Sequence, residues 1–247
     1  MIVAEKLTKR YDNGVLALDG LDLRISPGEV YCLLGANGAG KTTTINLFLG
    51  FIEPTGGVAR INDIDVNREP LKAKRLIGFV SENVRLYGNL TARQNLHFFA
   101  ELSGKAKTTR EDYYNVLDYV GLPKHAFERK VREFSKGMRQ KVGIAIAVIK
   151  EASALFLDEP TAGLDPKAAA DMVQILRALS AEGKAILMST HDIFRAKELA
   201  DQLGIMKEGR KVYERSRDQL VHDNLEKLYL DFMREDGATV SDLHSSY

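Results

Sequence analysis

Three features of the sequence predict an α/β fold. Short apolar strands alternate with helical patterns over most of the chain. The run Val30 to Leu34 is apolar throughout, as in a strand covered on both faces of a sheet. A block of helical character from about residue 84 to 152 interrupts the alternation, which then resumes.

Taken in order, Ile2 to Leu7 is a first strand, and Tyr11-Asp12-Asn13-Gly14 carries Asn-Gly turn chemistry. Leu16 to Ile25 sets Leu21, Leu23 and Ile25 against Asp22 and Arg24, a half-buried strand closed by Pro27-Gly28. An N-terminal antiparallel β subdomain follows from these strands. From Lys41 the pattern is helical, with Ile45, Leu47, Phe48 and Leu49 before Gly50 and Pro54. Val58 to Ile61 and Ile77 to Val80 are further short strands. Within the helical block, Leu90, Leu96, Phe98, Phe99 and Leu102 belong to one helix. Tyr113, Val116, Leu117 and Val120 mark a second, and Ile144 to Ile149 a third.

Ala154 to Leu157, Ala185 to Met188 and Leu203 to Met206 continue as strands, with helical patterns over Met172 to Leu179 and Ile193 to Ala200. Asp165-Pro166 is a helix-start signal, the carboxylate as cap and proline in the first turn, and Gly183 is the stop. Leu225, Leu228, Tyr229 and Phe232 share one helical face, and the last ten residues are expected to fray. The division is therefore a main domain over 1–220, with the insertion at about 84–152, and a helical extension and tail over 221–247.

Bulk properties narrow the classes. The chain has 247 residues, 45% hydrophobic and 28% charged, and a formal net charge of +1. That charge gives no whole-molecule attraction to nucleic acid or anionic lipid. The basic cluster Arg129, Lys130, Arg132, Lys136, Arg139 and Lys141 lacks interleaved aromatics, so no direct nucleic-acid contact is expected. The single cysteine, Cys32, lies in the apolar strand and reads as a buried structural thiol. His97, His125, His222 and His244 are scattered without metal-ligand spacing. No signal peptide is expected from the N-terminal residues. No apolar stretch approaches the roughly 20 residues needed to span a bilayer, so any membrane role must come through a partner.

The chemistry begins at Gly35-Ala36-Asn37-Gly38-Ala39-Gly40-Lys41-Thr42, which fits GxxxxGK[ST]. An apolar strand precedes it and a helix follows, the context of a P-loop NTPase core. Backbone N–H groups of the glycine-rich wrap, and the helix N-terminus, attract phosphate. Lys41 places a cation on the β- and γ-phosphates, and the Thr42 hydroxyl is a ligand for Mg²⁺. Ala154-Leu155-Phe156-Leu157-Asp158-Glu159 is an apolar strand ending in two carboxylates. Asp158 is placed to orient Mg²⁺, and Glu159 to accept the proton of a water aimed at the γ-phosphate. His191 follows another apolar strand, where it would sense the same phosphate.

Together these residues resemble the nucleotide-binding subunit of an ATP-binding cassette (ABC) transporter, over about residues 2–220. Phe134-Ser135-Lys136-Gly137-Met138 resembles the family signature LSGGQ. The resemblance implies that Ser135 and Gly137 meet the γ-phosphate held by the opposite subunit. It also implies phosphate-loop contacts through Gly35, Asn37, Gly38, Ala39, Gly40, Lys41, Thr42 and Thr43. Tyr11 resembles the aromatic that stacks on adenine, although alone it would more often be a turn or core aromatic. Ala162-Gly163-Leu164-Asp165 resembles the loop that crosses the dimer interface, with Asp165 helping to position the attacking water. Ile77 to Glu82 resembles the segment that usually ends in glutamine, and Glu82 stands there as a further ligand for nucleotide-bound Mg²⁺.

Two features depart from the family pattern, at three positions. Glu82 replaces the amide, and the signature has Lys136 and Met138 for Gly and Gln. This pair of variants, Asn89-Leu90-Thr91 through Asn95-Leu96, and Leu225 to Leu230 resemble the exporter branch. What the resemblance implies is an Mg²⁺-dependent ATPase that dimerises around two ATP molecules, as a homodimer or with a related ABC subunit. It would power export through an integral membrane permease, as a cytoplasmic protein peripheral on the inner face of the cell membrane. Two other classes stay open. One is a soluble ABC ATPase, of which the translation type carries two cassettes per chain and the repair type a long coiled coil. The other is a non-hydrolysing switch, against which stand the intact Lys41, Asp158, Glu159 and His191. The transported substrate lies with the partner.

Overall fold

The computed structural model describes residues 1–105, 107–220 and 225–233. Strands β1 (Ile2–Arg10) and β2 (Leu16–Ile25) form a hairpin, followed by β3 (Val30–Leu34) and helix α1 (Lys41–Phe48). Next come β4 (Gly56–Ile61), β5 (Ile64–Asp65), α2 (Pro70–Leu76) and β6 (Ile77–Val80). Helices α3 (Ala92–Leu102), α4 (Arg110–Tyr119) and α5 (Lys136–Ile149) separate β6 from β7 (Ala154–Asp158). The rest is α6 (Pro166–Ala181), β8 (Ala185–Thr190), α7 (Ile193–Leu199), β9 (Gln202–Lys207), β10 (Arg210–Ser216), α8 (Arg217–Leu220) and α9 (Leu225–Met233).

Two sheets result. The N-terminal one is antiparallel in the order β2-β1-β4-β5, and the main one runs β10-β9-β3-β8-β7-β6. In the main sheet β9, β3, β8, β7 and β6 are parallel, and β10 returns antiparallel along β9. Side chains of a strand alternate between faces, and here both faces are covered. Val30, Cys32 and Leu34 enter one core with Leu155, Leu157, Ile186 and Met188, under the helices. Tyr31 and Leu33 enter the other with Phe156, Leu187 and Phe48, under the antiparallel sheet. This is why Val30 to Leu34 is apolar at every position. Phe48 of α1 stacks on Phe156 of β7 at 5.3 Å between ring centres, which fixes the first helix over the strand that ends in Asp158. Each such buried ring contributes about 1.5–3 kcal/mol.

Local signals set the helix starts. Asp165 accepts from the Ala168 N–H at 2.9 Å with Pro166 in the first turn of α6, and Gly183 follows its end at φ +88°. Thr91 with Gln94 and Thr109 with Asp112 form reciprocal capping boxes at α3 and α4. Leu90 therefore lies before the cap rather than inside the helix, and Val120 caps α4 instead of extending it. The sequence pattern did not reveal α2, β5 or β10. Cys32 is fully buried, and burial pushes its thiol up. The final ten residues, His222 and His244 lie outside the described residues.

Candidate nucleotide site

The phosphate loop leaves β3 through Gly35, where an added Cβ would fall 2.6 Å from the Met206 carbonyl oxygen of β9. Gly40 enters α1 at φ +104°, and a Cβ there would meet the Ala17 carbonyl oxygen at 2.7 Å. Only glycine fits that backbone. The wrap is strapped to its surroundings: Gly209 N–H donates to Ala39 C=O at 3.1 Å, and Asp19 N–H to Gly209 C=O at 2.9 Å. Ala36, Asn37 and Gly38 form the exposed tip, Ala39 is buried, Thr42 is exposed and Thr43 half-buried.

Lys41 begins α1 and is 6% exposed. Its ammonium donates to the carbonyls of Gly35 at 2.6 Å and Ala36 at 3.1 Å, inside the mouth of its own loop. Burial pushes the Lys41 pKa down, against the upward pull of Glu159 and Asp158. A desolvated cation held in this way is a ready partner for phosphate oxygens.

Two carboxylates close the other side. Asp158, at the end of β7, accepts from the Thr42 hydroxyl at 3.2 and 3.3 Å and from the Ser189 hydroxyl at 2.5 Å. Ser189 in turn accepts the Glu159 N–H on its hydroxyl at 3.1 Å and on its carbonyl at 3.2 Å. That grip holds Glu159 at φ +50°, a left-handed conformation unusual for a side-chain-bearing residue and costing of order 1–3 kcal/mol. The turn aims its carboxylate between the Lys41 ammonium and the His191 ring. One oxygen lies 3.8 Å from Lys41 Nζ, and the other lies 2.9 Å from His191 Nδ1 and accepts the His191 N–H at 3.3 Å.

The signature turn stands apart, at the start of α5. Ser135 caps that helix, its hydroxyl accepting from the Met138 N–H at 3.2 Å. A Cβ on Gly137 would lie 3.1 Å from the Ala168 Cβ of α6 and 3.8 Å from Leu164 Cδ2, so the turn packs close to α6 and to Leu164 of the segment before it. Lys136 pairs with Glu82 at 3.2 Å. Tyr11, 36% exposed, sits in the β1–β2 turn with Lys9 Nζ 5.3 Å from its ring centre.

The fold thus brings together Lys41, Thr42, Asp158, Glu159 and His191 in one chain. Ser135, exposed, and Gly137, buried, stand instead at the start of α5, and Glu82 is engaged with Lys136 rather than with Thr42 or Asp158. Ser189 was not singled out by sequence; its signal is its position two residues before His191, level with Asp158 on the neighbouring strand. Gln140 was also missed: buried on α5, its amide donates to the carbonyls of Ser81 at 3.1 Å and Glu82 at 2.8 Å. Among the described residues no three His, Cys, Asp or Glu side chains come together as a metal cluster. Much of the basic cluster is paired, Arg129 with Glu133, Lys136 with Glu82 and Lys141 with Asp171.

Comparison with known proteins bears on the family and the fold. The family model described as ABC transporter matches residues 18–162. The chain is 38% identical over 237 residues to the bacitracin transport ATP-binding protein BcrA of Bacillus licheniformis, covering 96% of this chain and 76% of that protein. It is 37% identical to the daunorubicin/doxorubicin resistance ATP-binding protein DrrA of Streptomyces peucetius, covering 87% of this chain and slightly under two thirds, 64%, of that one. Among solved structures, an ATP-binding subunit of an ABC transporter superposes with a TM-score of 0.82 at 29% identity, covering 95% of this chain and all of its own (100%). The dimeric post-hydrolysis state of the ATP-binding cassette MJ0796 with ADP and Pi gives 0.78 at 28% identity, covering 88% of this chain and 99% of that one.

Proposed function

The chain belongs to the ABC transporter family and is an ATP-binding, ATP-hydrolysing cassette, and from that premise we propose that it closes with a second cassette around two ATP molecules and drives export through a separate membrane permease. The observation that carries the reading is the Glu159 carboxylate, held between Lys41 at 3.8 Å and His191 at 2.9 Å at the end of β7. Relatives named for bacitracin transport, for daunorubicin/doxorubicin resistance and for Nod factor export support the outward direction.

In this reading the backbone of Gly35, Asn37, Gly38, Ala39, Gly40 and Thr43 wraps the phosphates, and Tyr11 stacks on adenine. Lys41 passes from the carbonyls of Gly35 and Ala36 to the β- and γ-phosphate oxygens. The Thr42 hydroxyl and the Asp158 carboxylate, which already converge, form an oxygen donor set that suits Mg²⁺, with Glu82 as a third candidate. Bound there, the ion would neutralise charge on the phosphates. Glu159 takes a proton from water as the water oxygen bonds to the γ-phosphorus and the bond to the β-phosphate oxygen breaks. His191 holds the Glu159 carboxylate in line. Ser135 and Gly137 of each chain meet the γ-phosphate on the other, and Asp165 lies at the same junction. A two-fold axis would let each chain supply one half to each of the two sites.

In this reading residues 1–220 are the ATP-binding unit with the helical insertion at about 84–152, the groove beside Glu82 and residues 83–99 passes the motion to the permease, and 221–247 is an extension. Among the described residues no helix is long and apolar enough to cross a membrane. In this reading association with the inner face of the membrane runs through the permease. Affinity capture of the tagged chain from detergent-solubilised membranes tests this. A polytopic membrane protein should be recovered with it, and the pair in vesicles should hydrolyse ATP faster than the cassette alone. Recovery with ribosomes or nucleic acid alone would instead support a soluble ABC ATPase.

A further inference from the structure

We propose that the ion pair between Glu82 and Lys136 is a latch that couples the chain's own nucleotide site to the signature turn it offers its partner. The inference rests on the reading above that Glu82 belongs to the metal side of the ATP site. The two residues are the opposed-charge departures from the family pattern, and the fold sets them together at 3.2 Å.

The contact has a fixed hinge and an open tip. One turn along α5 from Lys136, fully buried Gln140 donates to the backbone carbonyls of both Ser81 and Glu82, at 3.1 and 2.8 Å. Through these two bonds the Gln140 amide nitrogen ties the segment after β6 to α5. The Lys136–Glu82 tip, by contrast, is open to solvent, its side chains 25% and 48% exposed. Lys136 Nζ also lies 3.5 Å from where a Cβ on Gly163 would stand, so one ammonium sits where Glu82, the signature turn and the interface loop converge.

Glu82 can serve Lys136 or the metal of bound Mg-ATP, but not both at full strength. An exposed pair is weak enough to yield to a divalent cation. When Glu82 turns to the nucleotide, Lys136 is released at the helix start that faces the partner's phosphates. Filling one site thereby arms the same chain for the other.

The test is a double-mutant cycle of Lys136→Gln, Glu82→Gln and the pair, with two readouts. The first is ATP affinity of the monomer, at protein concentrations too low for dimerisation, with Mg²⁺ or with EDTA. The second is ATP-driven dimerisation in the Glu159→Gln background. Lys136→Gln should tighten Mg-ATP binding by about two- to fivefold, the size of an exposed ion pair. It should have no such effect in EDTA or in the Glu82→Gln background, and it should weaken dimerisation. A static brace would lower thermal stability and leave the monomer's ATP affinity unchanged or equally changed with and without Mg²⁺, which would overturn the latch. If Glu82→Gln alters the Mg²⁺ dependence but Lys136→Gln adds to it independently, the latch fails while the site assignment stands. If Glu82→Gln leaves the Mg²⁺ dependence untouched, Glu82 is outside the metal site and both fail at that residue.

Discussion

Glu159 and His191 face each other across the ends of β7 and the strand beside it, carboxylate to imidazole at 2.9 Å, with the His191 N–H on the same oxygen at 3.3 Å. The histidine thus orients the carboxylate through two contacts, its ring and its backbone N–H. His191→Ala removes the ring but keeps the backbone bond. ATP binding should persist while hydrolysis falls by about 10²-fold, as for a misplaced catalytic group. Steady-state turnover beside equilibrium ATP binding checks this; a parallel loss of both would make His191 a binding residue.

Lys41→Ala removes the ammonium that sits in the loop mouth and leaves the wrap in place. Tight ATP binding and turnover should both be lost. Unchanged affinity in a titration calorimeter would place the phosphates elsewhere.

Gly40→Ala tests the loop backbone itself. The added methyl meets the Ala17 carbonyl oxygen at 2.7 Å, at φ +104°. Left-handed strain of this kind costs about 1–3 kcal/mol, and each kcal/mol moves the Tm of a chain this size by roughly 2–4 °C. A thermal melt at the parent's temperature would show that the loop relaxes freely.

Glu128 offers a pH-dependent check on the helical insertion. Burial disfavours its charge, but hydrogen bonds from Arg93, Tyr114 and Arg110 outweigh burial and hold the carboxyl at about 2. The folded value lies below the unfolded one of about 4.3, so the stabilisation is present above about pH 4.3 and fades as pH falls toward 2. Glu128→Gln should therefore be less stable than the parent at pH 7, modestly because the group is 40% exposed, with the gap closing on acidification. A gap that is constant from pH 7 to 3 would assign the loss to packing.

Much of this was legible in the sequence because local chemistry decided it. The all-apolar Val30 to Leu34, the Asp165-Pro166 start and the Asn13-Gly14 turn each carry their own physical reason. The phosphate loop, Asp158 and Glu159 were legible for the same cause, a motif set beside a strand end. What escaped depends on neighbours distant in sequence. Arg210–Ser216 is an edge strand with exposed alternate residues, defined by pairing with β9, and α2 is a seven-residue helix with one buried residue, Ala73. Ser189 acts on Asp158 because β8 lies in register with β7, a fact of sheet order. The Glu82–Lys136 pair spans 54 residues, so two departures that looked independent in the sequence are one contact in the fold.

The most direct measurement is the oligomeric state of Glu159→Gln with and without Mg-ATP, by size-exclusion chromatography with light scattering. Glutamine keeps the size and hydrogen bonding of Glu159 but cannot take the proton of the attacking water, so binding should survive while chemistry slows by about 10²-fold or more. ATP that binds only the closed form then draws the equilibrium toward the dimer. Asp158→Asn should differ, losing Mg²⁺-dependent affinity together with rate. The expected result is a Glu159→Gln monomer that becomes a dimer when Mg-ATP is added and not with ADP. A variant that binds ATP but stays monomeric, alone and mixed with a related cassette, would contradict the sandwich, and one that hydrolyses ATP at the parent rate would remove Glu159 from the base role.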